Sequence, residues 1–196
     1  MFANRFTVVI DACVLVSALR RNVLLSLAEA EFFRPRWSHE ILSETERAIT
    51  LILAAREGVR AGEVARRHVD QIRAAFTDSV VDGYDPRMAN LTDLPDLKDA
   101  HVIGAALKTG AALIVTDNLK DFPNSVLEPL CIEAKSADSF IADTIDLDIG
   151  RAVTAIHRMR KRFNRPELTA DDLLLQFEKN GLVESCDLLR PLVLSL

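Results

Sequence analysis

Aromatic residues are scarce in this 196-residue chain: nine Phe, one Trp and one Tyr make up 6% of it. So thin a supply offers no platform of rings on which successive bases could stack. Cysteine is scarcer still, with Cys13, Cys131 and Cys186 far apart and odd in number. That spacing excludes a disulfide framework and a Cys-based metal site, and the apolar surroundings predict buried, reduced thiols. The four His lie apart without zinc-ligand spacing. Basic charge is not in excess either, because 24 Lys plus Arg face 29 Asp plus Glu, for a formal net charge of −5. A polyanionic partner would need the basic residues clustered on one face. No apolar run approaches the roughly 18 residues of a membrane span. No basic-then-apolar leader opens the chain, so the expectation is a cytoplasmic protein without a membrane partner.

What the chain has in quantity is apolar side chains, 49% of the total, enough for a sizeable core. Four short apolar runs read as strands: Phe6 to Ile10, Phe32 to Pro35, Ala112 to Val115 and Leu130 to Glu133. Helical periodicity fills the intervals. Ser38 caps a helix running to about Glu57, with Ile41, Leu42, Thr45, Ala48, Ile49, Ile52 and Leu53 on one stripe. A more polar helix spans Ala61 to Phe76, and Asp96 caps another that stops near Gly110. The stretch VVDGYDPRMANLTDLPD reads as a long loop. Strands alternating with helices predict an α/β domain whose parallel sheet is covered on both faces.

The pattern turns wholly helical after about Asp146, with RAVTAIHRMRKRF, LTADDLLLQFEKNG and LVESCDLLRPLVLSL in succession. Thr169 and Asp172 form a capping-box pair with Asp in place of Glu. The expected division is therefore a domain over residues 1–145 and a helical extension over 146–196.

The chemistry gathers around acids. In FTVVIDACVL, Asp11 follows three β-branched residues and precedes another apolar run. An unpaired carboxylate so close to a core costs several kcal/mol unless something compensates it. In parallel α/β sheets ligands bind outside the carboxyl ends of the strands. Asp11 ends the first strand, Asp117 ends ALIVT, and Asp99 opens the helix leading into that strand, so these acids share one edge. On the helix after Ser38, Glu44 and Glu46 both flank the apolar stripe, and the helical wheel does not choose between them. Converging carboxylates need protons or a cation, and an all-oxygen set suits Mg²⁺ or Mn²⁺. Such an ion serves phosphodiester hydrolysis. Singly, each acid has a plainer reading: Asp99 as a helix N-terminal acid, Asp117 and Asn118 as turn formers, Glu44 as a surface residue.

The phrases VVIDACVLVSAL, WSHEILSETERAI, LPDLKDAHVIGAAL and ALIVTDNLKDFP, in that order, resemble the signatures of PIN-domain ribonucleases, and most nearly the VapC-type toxins of type II toxin–antitoxin systems. The resemblance covers roughly residues 6 to 135. It implies a PIN-like three-layer α/β/α sandwich with a mostly parallel sheet of about four to five strands, here with a C-terminal helical appendage. It also implies a Mg²⁺- or Mn²⁺-dependent endoribonuclease cutting structured RNA (tRNA or rRNA), a cognate antitoxin, and a homodimer.

Carried over by position, the resemblance assigns Asp11 as first acid, Glu44 as the helix glutamate, and Asp99 as third acid. Asp11 and Asp99 are the preferred metal ligands, with Asp117 or Asp121 as the fourth acid and the Thr116 hydroxyl in support. Ala12 and Cys13 stand where many members carry a small polar residue and Asn after the first acid, which changes the groups able to hold that acid. Cys13 also occupies the place where a dehalogenase-type phosphatase needs its second Asp, and the order of motifs does not support a receiver-like module. A PIN fold acting only as a binding module stays open. In the extension, Arg151 to Pro166 carries six Lys or Arg and no acid. Arg158, Arg160, Lys161 and Arg162 are therefore candidate contacts for RNA or an acidic antitoxin segment, against the plainer reading of a solvated helix face.

Overall fold

The computed structural model describes residues 6–85, 94–163 and 166–196. Chain order runs β1 (Thr7–Ile10), α1 (Ala12–Val16), α2 (Ala18–Glu29), β2 (Arg34–Ser38), α3 (His39–Glu57), α4 (Ala61–Ala75) and β3 (Val80–Val81). It continues with α5 (Ala100–Thr109), β4 (Leu113–Val115), α6 (Asn124–Leu127), β5 (Glu133–Lys135), α7 (Ala137–Leu147), α8 (Ile149–Lys161), α9 (Ala170–Lys179) and α10 (Val183–Leu189). The strands form one sheet in the order β3-β2-β1-β4-β5. Every pairing is parallel. Helices flank this sheet, giving the expected α/β/α architecture with added C-terminal helices.

β1 is the pivot. Val8, Val9 and Ile10 are wholly buried, which is why the run is continuously apolar instead of alternating. The chain leaves β1 toward β2 on one side and later returns as β4 on the other, making a switch point at the carboxyl end of β1. Ile10 is level with Val115 in the ladder. The Asp11 N–H bonds Val115 O at 3.0 Å, so Asp11 and Thr116 leave the sheet side by side.

Local signals explain most boundaries. Ser38 Oγ accepts Ile41 N–H at 3.1 Å to start α3. Gly110, at φ 62°, closes α5 in the left-handed region that a side chain would disfavour. Thr169 caps α9, accepting Asp172 N–H at 3.1 Å and donating its hydroxyl to that Asp at 2.7 Å.

The departures have physical causes. β2 begins at Arg34 instead of Phe32, because Glu31 turns the chain at positive φ and Phe33 packs edge-on against Phe140. β5 begins at Glu133, since Leu130 lies in a 3-10 turn and Cys131 adopts a φ of 56°. Val80–Val81, within the stretch expected to be loop, adds a strand beside Trp37 and Ser38; part of that stretch, residues 86–93, lies outside the described residues. The stripe on α3 is buried only through Ile49, and Ile52 is 66% exposed where the helix outruns the sheet. Of the three thiols expected to be buried, Cys13 and Cys131 are exposed and only Cys186 is buried. No helix among the described residues is long and apolar enough to cross a membrane.

The C-terminal helices share the central core. Leu173, Phe177, Leu182, Cys186 and Leu189 are buried in the same cluster as the sheet. α8 packs along α2 and α10 against α7. Asp138 of α7 accepts the N–H groups of Glu184 and Ser185 at 2.8 and 3.0 Å, supplying partners that the start of α10 otherwise lacks. Arg151 stacks over the Phe32 ring at 4.1 Å.

Candidate active site

Asp11 is only 7% exposed, and three groups donate hydrogen bonds to its carboxylate. Its Oδ1 accepts the Ala12 N–H at 2.6 Å, placing the acid as N-cap of α1. Its Oδ2 accepts the Thr116 hydroxyl at 2.7 Å and the Cys13 thiol at 3.1 Å. Three donors thus hold the carboxylate in one orientation, facing the carboxyl edge of the sheet. Cys13 also accepts the Asp117 N–H at 3.4 Å and lies 3.4 Å from the Thr116 hydroxyl, tying β1 to the residues after β4. Although the residue is exposed as a whole, its sulfur lies within this polar knot, and burial followed by the charge of Asp11 pushes the thiol up to about 12.

Asp99 approaches from a 3-10 turn, Leu97–Asp99, that runs into α5. Asp96 takes the capping role there, accepting Lys98 N–H at 2.9 Å, while Asp99 makes no capping bond. The Asp99 carboxyl is pushed up to about 6, first by burial and then by the charges of Asp11, Asp96 and Asp121; His101 pulls the other way. Of the acids expected to share this edge, Asp11 thus acts on Asp99, and Asp117 is not among the charges that do.

The two candidates for fourth acid part company. Asp117 turns outward: Arg20 holds one oxygen and the Ala137 N–H, at 3.1 Å, the other. Asp121 sits on the next turn, receives the Asn118 side-chain amide, and contributes its charge to Asp99.

The two glutamates of α3 also differ. Glu46 reaches Arg66 of α4 at 3.4 Å. Glu44 stands 3.7 Å from Arg47 and 3.4 Å from His101 Nε2, on a groove of about 610 Å³ that Tyr84 and Lys98 also line.

His101 went unnoticed in the sequence, where its only signal is its place two residues after Asp99. It is 7% exposed, its Nδ1 lies 2.6 Å from Lys98 O, and its Nε2 is near Glu44 without hydrogen-bond alignment. Arg20 was likewise unmarked; besides Asp117 it donates to Asn180 O from Nε at 3.1 Å and Nη2 at 2.5 Å, joining the cleft to the turn between α9 and α10.

Among the four basic residues expected on a contact face, Arg160 is buried and donates to Leu168 O at 2.5 Å, so it does not present a charge to a partner. Lys161 and Arg162 are exposed but paired with Glu167 and Glu29, whereas Arg158 is exposed with no ion pair among the described residues.

Among the described residues, no three Asp, Glu, His or Cys side chains stand close enough to hold a metal as they lie. The donor chemistry nevertheless fits a hard divalent cation, because the groups at this edge are carboxylates and Asp99 is raised to about 6, first by burial and then by its acidic neighbours.

The profile described as the VapC50 C-terminal domain matches residues 137–191, which begin at α7. A candidate ribonuclease, VapC50 of Mycobacterium tuberculosis (strain ATCC 25618 / H37Rv), is 35% identical over 99 residues. That match covers 50% of this chain and 57% of the relative, so the chain spans little more than half the length of the protein it resembles. No solved structure matches. The PIN-domain profile matches residues 7–120, more than half of the chain and the stretch from Asp11 through Asp117, and the chain belongs to the PIN-domain family.

Proposed function

We propose that this protein is a metal-dependent endoribonuclease that cuts structured RNA, tRNA or rRNA, and works as the toxin of a toxin–antitoxin pair. The observation that carries the reading is the buried Asp11 at the carboxyl edge of a parallel sheet, together with an Asp99 carboxyl raised first by burial and then by the charges of Asp11, Asp96 and Asp121. A buried Asp11 beside a half-buried Asp99, neither in an ion pair among the described residues, is an arrangement a divalent cation stabilises.

Asp11 and Asp99 are the proposed ligands of Mg²⁺ or Mn²⁺, with Asp121 as the further acid in place of Asp117. When bound, the cation supplies charge compensation for the acids and the scissile phosphate, and favours ionisation of water. The chain's own residues do the rest. The Ala12 N–H, the Thr116 hydroxyl and the Cys13 thiol orient Asp11. Glu44, beside His101, lies along the groove and orients the attacking water. The groove, lined also by Tyr84 and Lys98, is the proposed path of an RNA strand, and the exposed Arg158 on α8 is the proposed contact for a phosphate or an acidic antitoxin segment. The matched name of the VapC50 relative supports the ribonuclease reading; a homodimer and a cytoplasmic location complete the proposal.

The test is cleavage of a structured RNA by antitoxin-free protein with Mg²⁺ or Mn²⁺, compared with EDTA and with Asp11→Asn. Cleavage abolished by both controls supports the proposal, and cleavage indifferent to both sinks it. A protein that binds RNA tightly but never cuts it would be a PIN-fold binding module. The diversion of Asp117 to Arg20 is the feature that favours that second reading.

A further inference from the structure

A second polar cavity lies between α2, α4 and the end of α8. Its volume is about 160 Å³, and its lining includes Arg21, Asn22, Ser26, His68, Gln71 and Arg162. Arg21 is its most unusual member. A guanidinium keeps its charge, yet this residue is only 7% exposed. Its hydrogen bonds run from Nη1 to Leu15 O at 2.5 Å and to Val16 O at 3.4 Å. No carboxylate pairs with it among the described residues. Backbone carbonyls satisfy one nitrogen and leave the buried positive charge without a counter-charge.

The neighbours sharpen this imbalance. Glu29, also on the lining, is engaged by Arg162 at 2.6 Å, and the two charges cancel. His68 faces the same space with a buried Nδ1 that has no hydrogen-bond partner among the described residues. Burial, then Arg21 and Arg67, lower its pKa. The amides of Asn22 and Gln71 and the Ser26 hydroxyl add further donors. Several water molecules, each with a share of about 30 Å³, could fill such a space but could not offset a charge. A tetrahedral oxyanion does both, and a donor-rich lining suits its acceptor oxygens.

We propose that this cavity is an anion site that takes a phosphate group, gripped by Arg21 and His68 and separate from the acidic cleft. It does not depend on the nuclease reading, since none of its residues belongs to that cleft. Arg21 also closes the carboxyl end of α1, the helix that Asp11 caps, so an occupied site would firm the segment carrying Asp11.

The probe is inorganic phosphate, titrated into the full-length chain by calorimetry and thermal unfolding in EDTA, against chloride at matched ionic strength. A saturable heat and a saturable rise in Tm are expected with phosphate alone. Gln71→Glu places a carboxylate on the lining at an exposed position that folding tolerates. It should weaken binding by roughly tenfold or more, and His68→Phe should do likewise. No phosphate effect beyond chloride, or unchanged binding in Gln71→Glu, overturns the proposal. Given binding, competition by a 5′-phosphorylated oligonucleotide but not its 5′-hydroxyl counterpart identifies an RNA end as the source. Competition by neither identifies free phosphate, and both results uphold the site. Because the readout is binding without metal or cleavage, its failure is distinct from failure of the nuclease proposal.

Discussion

The Thr116 hydroxyl donates to Asp11 Oδ2 at 2.7 Å, linking residues 105 positions apart at the ends of β4 and β1. Thr116 is fully buried, so no water stands in for it. The bond exists because the two strands are parallel neighbours in matching register.

Thr116→Val keeps the shape and removes that donor. The variant should bind Mn²⁺ about 10–100-fold more weakly, the usual cost of losing a group that orients a metal ligand. It should unfold with a loss of about 1–2 kcal/mol. Calorimetric titration with Mn²⁺ and thermal denaturation measure the two effects separately. Unchanged Mn²⁺ affinity would mean that the hydroxyl does not position Asp11.

Cys13 should act as a hydrogen-bond donor and not as a reactive thiol, despite its exposure. Burial and the Asp11 charge push it up to about 12. At pH 8 only about one thiol in ten thousand is then ionised. Iodoacetamide should therefore label exposed Cys131 well before Cys13, which mass mapping of the labelled peptides reads directly. Cys13→Asn, which still offers Asp11 a donor, should retain cleavage to within about threefold, whereas Cys13→Ala should lower it. Equal activity in the two variants would remove the thiol from any role in holding Asp11.

The raised Asp99 couples metal binding and stability to pH. Its ordinary value of 3.8 describes the unfolded chain, and the folded metal-free chain lifts it to about 6. A carboxyl raised on folding favours the folded state below the lower value and loses that contribution as pH rises through the upper one. Without metal, Asp99 should therefore make the protein less stable at pH 7 than at pH 5, a difference that Asp99→Asn abolishes. Protons and metal compete for the same oxygens, so the rise in Tm caused by Mn²⁺ should shrink as pH falls below 6. An equal rise at pH 5 and pH 7 would contradict this competition.

Asp121 and Asp117 should fail in different ways. Asp121→Asn should weaken Mn²⁺ binding and cleavage together with little effect on folding. Asp117→Asn releases Arg20 and the start of α7, a partly exposed ion pair worth about 1 kcal/mol or less. It should lower Tm by roughly 2–4 °C and leave Mn²⁺ affinity intact. The opposite pattern would return Asp117 to the metal.

The sequence by itself determined the parallel α/β class, the wholly buried first strand ending in an acid, and the capped starts of α3 at Ser38 and α9 at Thr169. These are short-range matters: apolar runs, side-chain caps and turn residues act within a few positions of chain. The helical wheel left Glu44 and Glu46 equivalent and the family resemblance pointed to Glu44; only the tertiary structure set Glu44 beside His101 and Glu46 beside Arg66. It alone turned Asp117 toward Arg20 while leaving Asp121 to act on Asp99. Arg20 and Arg21 show the same division: adjacent in sequence and alike in chemistry, they diverge because one reaches the turn after α9 and the other is buried under α1. Which partner a long side chain meets depends on the register and packing of elements far away in sequence, and local pattern carries no information about that.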